Sequence, residues 1–306
     1  VTSRLAVLIP GGRGQLGREL ARRVGAGRNC LVHAPGSTEL DIADPDAVAD
    51  VVDSFTEAAR DAQLRPVVLN AAAYTAVDAA ETDRTRAAEV NTGGAAALAE
   101  ACRACELPLV HVSTDYVFPG DATEPYEPEH TPSPRTVYGR TKLDGERAVL
   151  ASQARAWVVR TSWVYGGRGG NFVKTMTRLE SERETVSVVD DQFGSPTWAA
   201  DLASGLVELA DRATRQQGPQ RAVLHCTNSG RASWFELARA VFSELGADPD
   251  RVRPCSTADF PRPAPRPAFS ALSERAWIEE GCTPMRPWRQ ALSEAFARDG
   301  GALRAR

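Results

Sequence analysis

A doubly wound α/β fold is predicted: a parallel sheet with helices on both faces, joined to a smaller mixed C-terminal unit. Three observations predict it. Apolar runs of strand length alternate with amphipathic helical segments through the first 165 residues, the pattern of a parallel sheet buried on both sides. The first run opens directly into the glycine-rich stretch "PGGRGQLGREL". Regularity weakens after about residue 165, where the second unit begins.

The elements follow in order. "RLAVLIP" is the first strand. It runs into glycines rather than a cleavage site, so the opening "VTSRLAVLIPGG" reads as a buried strand, not as a signal peptide. "QLGRELARRV" is a helix and "NCLVHAP" the second strand. "DPDAVADVVDSFTEAA" is a helix with Asp44 as N-cap and Pro45 at the first helical position, where an N–H has no intrahelical acceptor. "PVVLNAAAY" is the third strand, "RTRAAEVNTGGAAALAEACRA" a helix, "PLVHVST" the fourth strand, "YGRTKLDGERAVLAS" a helix and "AWVVRTSWVY" the fifth strand. Further on, "SVVDDQFGSP", "TWAADLASGLVELADRA" and "AVLHCTNSG" add a strand, a helix and a strand. Residues 231–306 hold at least two helices and the segment "FPRPAPRPAFSAL", too poor in N–H donors for regular structure. The expected division is 1–165, with about 188–228 returning to the sheet, as one domain, and about 166–187 and 229–306 as a smaller domain closing over it.

Composition excludes several classes. A formal net charge of -4 gives no electrostatic case for nucleic acid or an acidic membrane. No apolar run approaches the ~20 residues that span a bilayer. Six cysteines in 306 residues do not make a disulfide scaffold. Cys102 and Cys105 form a C-x-x-C inside an alanine-rich helix, where they read as packing residues. The histidines at 33, 111, 130 and 225 show no ligand spacing. A cytoplasmic protein without a metal is expected.

In a sheet of this kind ligands bind beyond the carboxyl ends of the strands. Gly11, Gly14 and Gly17 stand there after the first strand and open a helix. That context gives the glycines a purpose: a sharp turn, close approach of a pyrophosphate, and a helix N-terminus behind it. A Rossmann-type dinucleotide site follows. The second strand ends "LVHAPGS" without the acid that would hold an unphosphorylated adenosine ribose. Glu39 and Asp41 come late, and Arg13 is either the partner of a 2′-phosphate or a solvated loop charge. NADPH is expected, with NADH tolerated.

Only two of the 36 basic residues are lysines, Lys142 and Lys174. Lys142 lies four residues after Tyr138, so the two share one face of the predicted helix. A phenol with a pKa near ~10 is a poor acid or base at neutrality, and a nearby cation lowers it. An ammonium also has three donors for ribose hydroxyls. Ser113 and Thr114, directly after the fourth strand, place hydroxyls where a carbonyl oxygen can be held.

Together these pieces resemble the extended short-chain dehydrogenase/reductase family. The segments "GQLG", "LDIAD", "NAAAYTAVDAAE", "VNTGG", "VSTDYVFPG", "YGRTKLDGE", "RTSWVYG", "VVDDQFGSPT" and "RPAPRPAFSAL" extend the likeness to the dTDP-4-dehydrorhamnose reductase family over nearly the whole chain. "STDYVF" and "DDQFGSPT" are its most specific parts. The resemblance implies a catalytic triad of Thr114, Tyr138 and Lys142. It implies cofactor positions, or their surroundings, at Gly11, Gly14, Gln15, Leu16, Asp41, Ile42, Ala71, Ala72, Ala73 and Asn91, to which Arg13, Gly17, Tyr138 and Lys142 are added. It implies a sugar pocket lined by Val77, Asp115, Tyr116 and Trp163. Arg266 is either a pyrophosphate ligand or a structural residue. The implied reaction is reduction of the C4 ketone of a dTDP-sugar, with no nucleic-acid or membrane partner. Some relatives share a magnesium ion between subunits through glutamates. Glu19 matches one of these, but "PTWAADLA" offers no second, so a monomer or weak homodimer is expected.

Rival functions differ at single positions. A 4,6-dehydratase needs a glutamate where Tyr116 stands. An epimerase would retain its cofactor without net consumption. A non-catalytic regulatory subunit would not need an intact triad. A reductase of another dTDP-4-keto-6-deoxyhexose would carry the same triad and differ only in pocket shape.

Overall fold

The computed structural model describes residues 4–304. Residues 1–3 of the opening stretch and 305–306 at the end of the expected C-terminal domain lie outside the described residues. The chain alternates as predicted through β1 (Leu5–Leu8), α1 (Gln15–Gly25), β2 (Leu31–His33), α2 (Pro45–Asp61) and β3 (Arg65–Asn70). There follow α3 (Val77–Ala80), α4 (Arg84–Ala88), α5 (Gly94–Ala104), β4 (Leu109–Thr114), α6 (Val137–Ala151) and β5 (Ala156–Thr161). Asp44 caps α2, its carboxylate accepting from the Asp46 and Ala47 amides. Cys102 is buried on α5, and burial pushes its thiol up, as suits a packing residue.

Two elements depart from the sequence pattern. The helix expected over 84–104 widens into a π-helical turn at Glu89–Gly93. Inside it the Asn91 side chain is buried and turns away to bond the backbone of Tyr74. The fifth strand stops at Thr161 because Trp163 adopts a left-handed conformation at φ 46°. Its continuation, β6 (Val164–Tyr165), leaves the main sheet for β9 (Thr197–Trp198).

The C-terminal part holds α7 (Phe172–Glu182), β7 (Val186–Val189), β8 (Phe193–Gly194), α9 (Trp234–Glu244), β11 (Ala232–Ser233), β12 (Val252–Cys255), α10 (Arg275–Glu279) and α11 (Trp288–Arg304). Strand β7 pairs with β12, and β8 with β11. Between them α8 (Ala199–Thr214) and β10 (Val223–His225) return to the main sheet. The proline-rich segment forms neither helix nor strand, touching its neighbours through bridges at Phe269 and Leu272.

The main sheet runs β10-β5-β4-β3-β1-β2, and every pairing is parallel. One face is covered by Leu20 and Val24 of α1 with Leu202, Leu206 and Leu209 of α8. The other is covered by Val48, Val52 and Phe55 of α2 with Leu98 and Ala99 of α5. Burial on both faces explains why the strands read as unbroken apolar runs. A third cluster, with Trp198, Leu237, Phe242 and Trp288, forms the core of the C-terminal part. Among the described residues no helix is long and apolar enough to cross a membrane.

Candidate active site

The site lies where the carboxyl ends of β1, β3 and β4 meet. After β1 the chain turns through Gly11 at φ 78°, a conformation that L-residues rarely adopt. A Cβ there would lie 2.6 Å from the Ala72 nitrogen, so only glycine lets the loop seat on Ala71 and Ala72. The Ala71 amide donates to the Pro10 carbonyl at 3.0 Å, holding the two turns together, and Ala73 continues the second. Gly17 has the same kind of constraint, with a Cβ 2.2 Å from the Gly11 oxygen.

Gly14 is different. It is the N-cap of α1, extended, with no side chain capping the helix and no acid in the first turn. A Cβ at Gly14 would meet only the Gly11 oxygen, at 3.2 Å. No side chain caps the first N–H groups of α1, which fits the pyrophosphate of a dinucleotide. Leu16 packs inward against the core, while Gln15 spans two regions. Its amide donates to the Val164 carbonyl at 3.0 Å and accepts from Asn171 at 2.8 Å, tying α1 to the cap of α7.

Arg13 is paired. Its guanidinium holds Glu39 at 2.9 Å, and the same carboxylate accepts from the Gly36 amide at 2.7 Å. The Arg13 hydrogen bond, then the Gly36 amide, holds Glu39 down at about 2. Glu39, late in sequence, thus folds back to the end of β2. Asp41 accepts from Ala43 and from Arg86 at 2.7 Å, which holds its carboxyl below the usual range. Ile42 is buried beside Gly94.

At the mouth of β4, Thr114 and Asp115 are buried, and Tyr138 at the start of α6 lines the cleft half-buried. Thr136 caps α6 through the Gly139 amide, and the close contact of Gly139 with the Tyr116 carbonyl sets the helix against the turn after β4. Tyr116 meets Tyr138 edge to face at 5.6 Å. Burial pushes the Tyr138 phenol up to about 12, opposed by the Thr114 hydroxyl. Asp115 accepts from Thr114 and Ser162, each at 3.0 Å, yet burial still raises its carboxyl.

Lys142 does not take the place expected of it. Its Nζ donates to the Val112 carbonyl at 2.7 Å and lies 3.4 Å from His111 Nε2, and the side chain is 2% exposed. The anticipated lowering of the phenol by the ammonium is absent from this geometry. Burial instead lowers Lys142 to about 8, with Glu146 opposing. One turn further along α6, Glu146 forms a bidentate pair with Arg160 at 2.9 and 2.7 Å, and both are buried. Ser113 spends its hydroxyl on the same carboxylate at 2.5 Å, away from Tyr138, whereas Thr114 donates to Asp115 beside Tyr138.

Of the sugar-pocket positions, Trp163 stacks on Trp234 at 3.4 Å. Val77 begins α3, next to Asp78, which binds Arg266 at 2.8 Å. Arg266 thus has a structural partner. Sequence reasoning passed over Glu146 and Arg160 and read His111 only as a histidine without ligand spacing, although it lies in the fourth strand, "PLVHVST", just before Ser113 and Thr114. Glu19, the position matched to a metal ligand, is bonded to Arg22 and Arg298 at 3.0 and 2.9 Å. Among the described residues no cluster of His, Cys, Asp and Glu is placed to hold a metal ion.

A parallel sheet with an uncapped glycine turn after β1, and a Tyr-x-x-x-Lys helix against β4, defines an oxidoreductase of the short-chain dehydrogenase/reductase class. Within it the chain belongs to the RmlD substrate binding domain family, whose profile matches residues 5–300. It is 50% identical over 297 residues to a dTDP-4-dehydrorhamnose reductase of Mycobacterium tuberculosis, covering 95% of this chain and 92% of that one. It is 47% identical over 291 residues to a probable dTDP-4,6-dihydroxy-2-methyloxan-3-one 4-ketoreductase of Streptomyces antibioticus, covering 94% of each. The fold superposes on a dTDP-4-dehydrorhamnose reductase of Bacillus anthracis solved in complex with NADP. The TM-score is 0.85 at 36% identity, over 96% of this chain and 99% of that one.

Proposed function

We propose that the protein reduces the C4 ketone of dTDP-4-dehydro-L-rhamnose with NADPH, giving dTDP-L-rhamnose. The observation that carries this reading is the continuity of the site. The glycine turn seats on Ala72, Ala72 bonds Asn70, and Asn70 leads through His111 to Lys142, one turn from Tyr138.

The coenzyme, when bound, supplies the hydride. The α1 N-terminus and glycine turn would hold its pyrophosphate, and Asp41, Ile42, Ala71–Ala73 and Asn91 would line or support the rest of the coenzyme site. Thr114 holds the ketone oxygen, where negative charge develops. Tyr138 delivers the proton to that oxygen, and a phenol raised to about 12 remains protonated at neutral pH. Val77, Asp115, Tyr116 and Trp163, all on the sheet domain, line the sugar, and a C-terminal domain over about 166–187 and 229–306 closes over it. Gripping the nucleotide far from C4 positions the ketone. The protein acts in the cytoplasm as a monomer or weak homodimer; the pairing of Glu19 with Arg22 and Arg298, rather than with a metal shared between subunits, supports the oligomeric part of this reading.

The test is an assay with dTDP-4-dehydro-L-rhamnose generated in situ, following NADPH and NADH oxidation separately. Stoichiometric NADPH loss with dTDP-L-rhamnose formed is expected. The Streptomyces antibioticus relative favours a second reading, reduction of another dTDP-4-keto-6-deoxyhexose, and that substrate is run in parallel.

Two variants check the coenzyme site. Gly14→Asp has an ordinary negative φ and one tight contact, its Cβ 3.2 Å from the Gly11 oxygen, which a shift of a few tenths of an ångström relieves; it supplies a good N-cap, but it places a carboxylate before the helix N-terminus. Thermal stability is expected to hold while NADPH affinity, read by fluorescence titration, falls at least ~10-fold. Glu39→Gln releases Arg13, whose fork matches a phosphate. The KM for NADPH is expected to fall several-fold relative to that for NADH.

A further inference from the structure

The hydrogen bonds beneath the site fix a tautomer. The Ala72 amide can only donate, and it donates to Asn70 Oδ1 at 3.0 Å. The Asn70 amide nitrogen is thereby turned toward His111 Nδ1, also at 3.0 Å. That nitrogen is a donor, so Nδ1 must accept, and a neutral imidazole then carries its proton on Nε2. Nε2 faces Lys142 Nζ at 3.4 Å. An ammonium has no lone pair to receive that N–H, whereas an amine has one. Asn70, His111 and Lys142 are 1%, 1% and 2% exposed, so no solvent relieves the conflict.

We propose that His111 is a positioning residue of the reaction. Locked as the Nε2–H tautomer from Ala72 through Asn70, it disfavours the Lys142 ammonium inside the protein and directs that charge toward acceptors in the cleft. The inference rests on the proposed reading of this cleft as a coenzyme site, in which the Lys142 ammonium serves the ribose hydroxyls. The charged and titratable groups around Lys142 are His111 from β4, Tyr138 and Glu146 from its own helix and, through Glu146, Arg160 from β5. Glu146 is the one acid near enough to favour the ammonium, and its oxygens are held by Arg160 and Ser113. The stretch 84–104 presents Asn91, bonded to Thr141. Both Lys142 and His111 are pushed down, mainly by burial. Inside the protein Nζ has the Val112 carbonyl as its oxygen acceptor; the coenzyme's ribose hydroxyls would add further acceptors and so favour the ammonium.

The scarcity of lysine makes the test clean. Protein labelled with 13Cε-lysine gives two resonances, Lys142 and, as internal reference, Lys174. In His111→Gln a carboxamide oxygen can face Nζ, and Lys142 is expected to titrate at least one pH unit higher than in the parent. Separately, 15N-histidine NMR of the parent is expected to show His111 neutral with its proton on Nε2 at pH 7. Asn70→Asp, whose second oxygen demands a proton from Nδ1, is expected to reverse that tautomer. A parent His111 protonated on Nδ1, or on both nitrogens, overturns the proposal. So does an unmoved Lys142 titration in folded His111→Gln. None of these readouts uses turnover, so an error in the substrate assignment leaves them intact.

Discussion

Tyr138→Phe is expected to lower kcat by ~10²–10⁴-fold while NADPH affinity stays within about three-fold. That range is what a positioned general acid contributes. The substitution removes one oxygen from a ring held edge to face against Tyr116, so packing is retained. No neighbour replaces the lost proton. Tyr116 has its own phenol pushed far up by burial. The Ser113 hydroxyl is committed to Glu146. Asp115 already accepts from Thr114 and Ser162. Stopped-flow turnover against equilibrium coenzyme titration separates the two effects, and near-parental kcat would remove Tyr138 as the acid.

Glu146→Ala is expected to cost ~3–5 kcal/mol of stability, read from the midpoint of urea unfolding. Breaking a buried ion pair from one side leaves the other charge without its counter-ion. Arg160 would keep the Pro128 carbonyl at 3.2 Å and the Phe118 ring at 4.9 Å, neither of which neutralises a guanidinium. The double variant Glu146→Leu with Arg160→Met removes both charges at similar volume. It is expected to regain most of the loss, since apolar replacement of a whole buried pair is near neutral. If both variants lose equally, the pair's net charge interaction is not what holds α6 to β5.

The sheet, its helices and the glycine turn were legible because each is written locally: apolar runs, Asp44-Pro45, a strand ending in glycines. Tyr138 and Lys142 were legible as a pair because helical spacing puts them on one face. What Lys142 touches was not legible. Its partners, Val112 and His111, come from β4, and the tautomer of His111 is set by an amide just beyond the adjacent strand, β3. Arg13 is a similar case, since its partner Glu39 lies 26 residues on and returns to the end of β2 only through the Gly36 turn. The break of the fifth strand at Trp163 has no local cue either, because a tryptophan there reads as a good strand residue. It follows from stacking on Trp234, 71 positions away.

The most direct test of the central claim is isotopic. With NADPH deuterated at the transferring position and dTDP-4-dehydro-L-rhamnose as substrate, the product is dTDP-L-rhamnose carrying one deuterium at C4, seen by mass spectrometry and by loss of the H4 proton signal. Deuterium retained entirely in the coenzyme, or found at another carbon of the sugar, would contradict it.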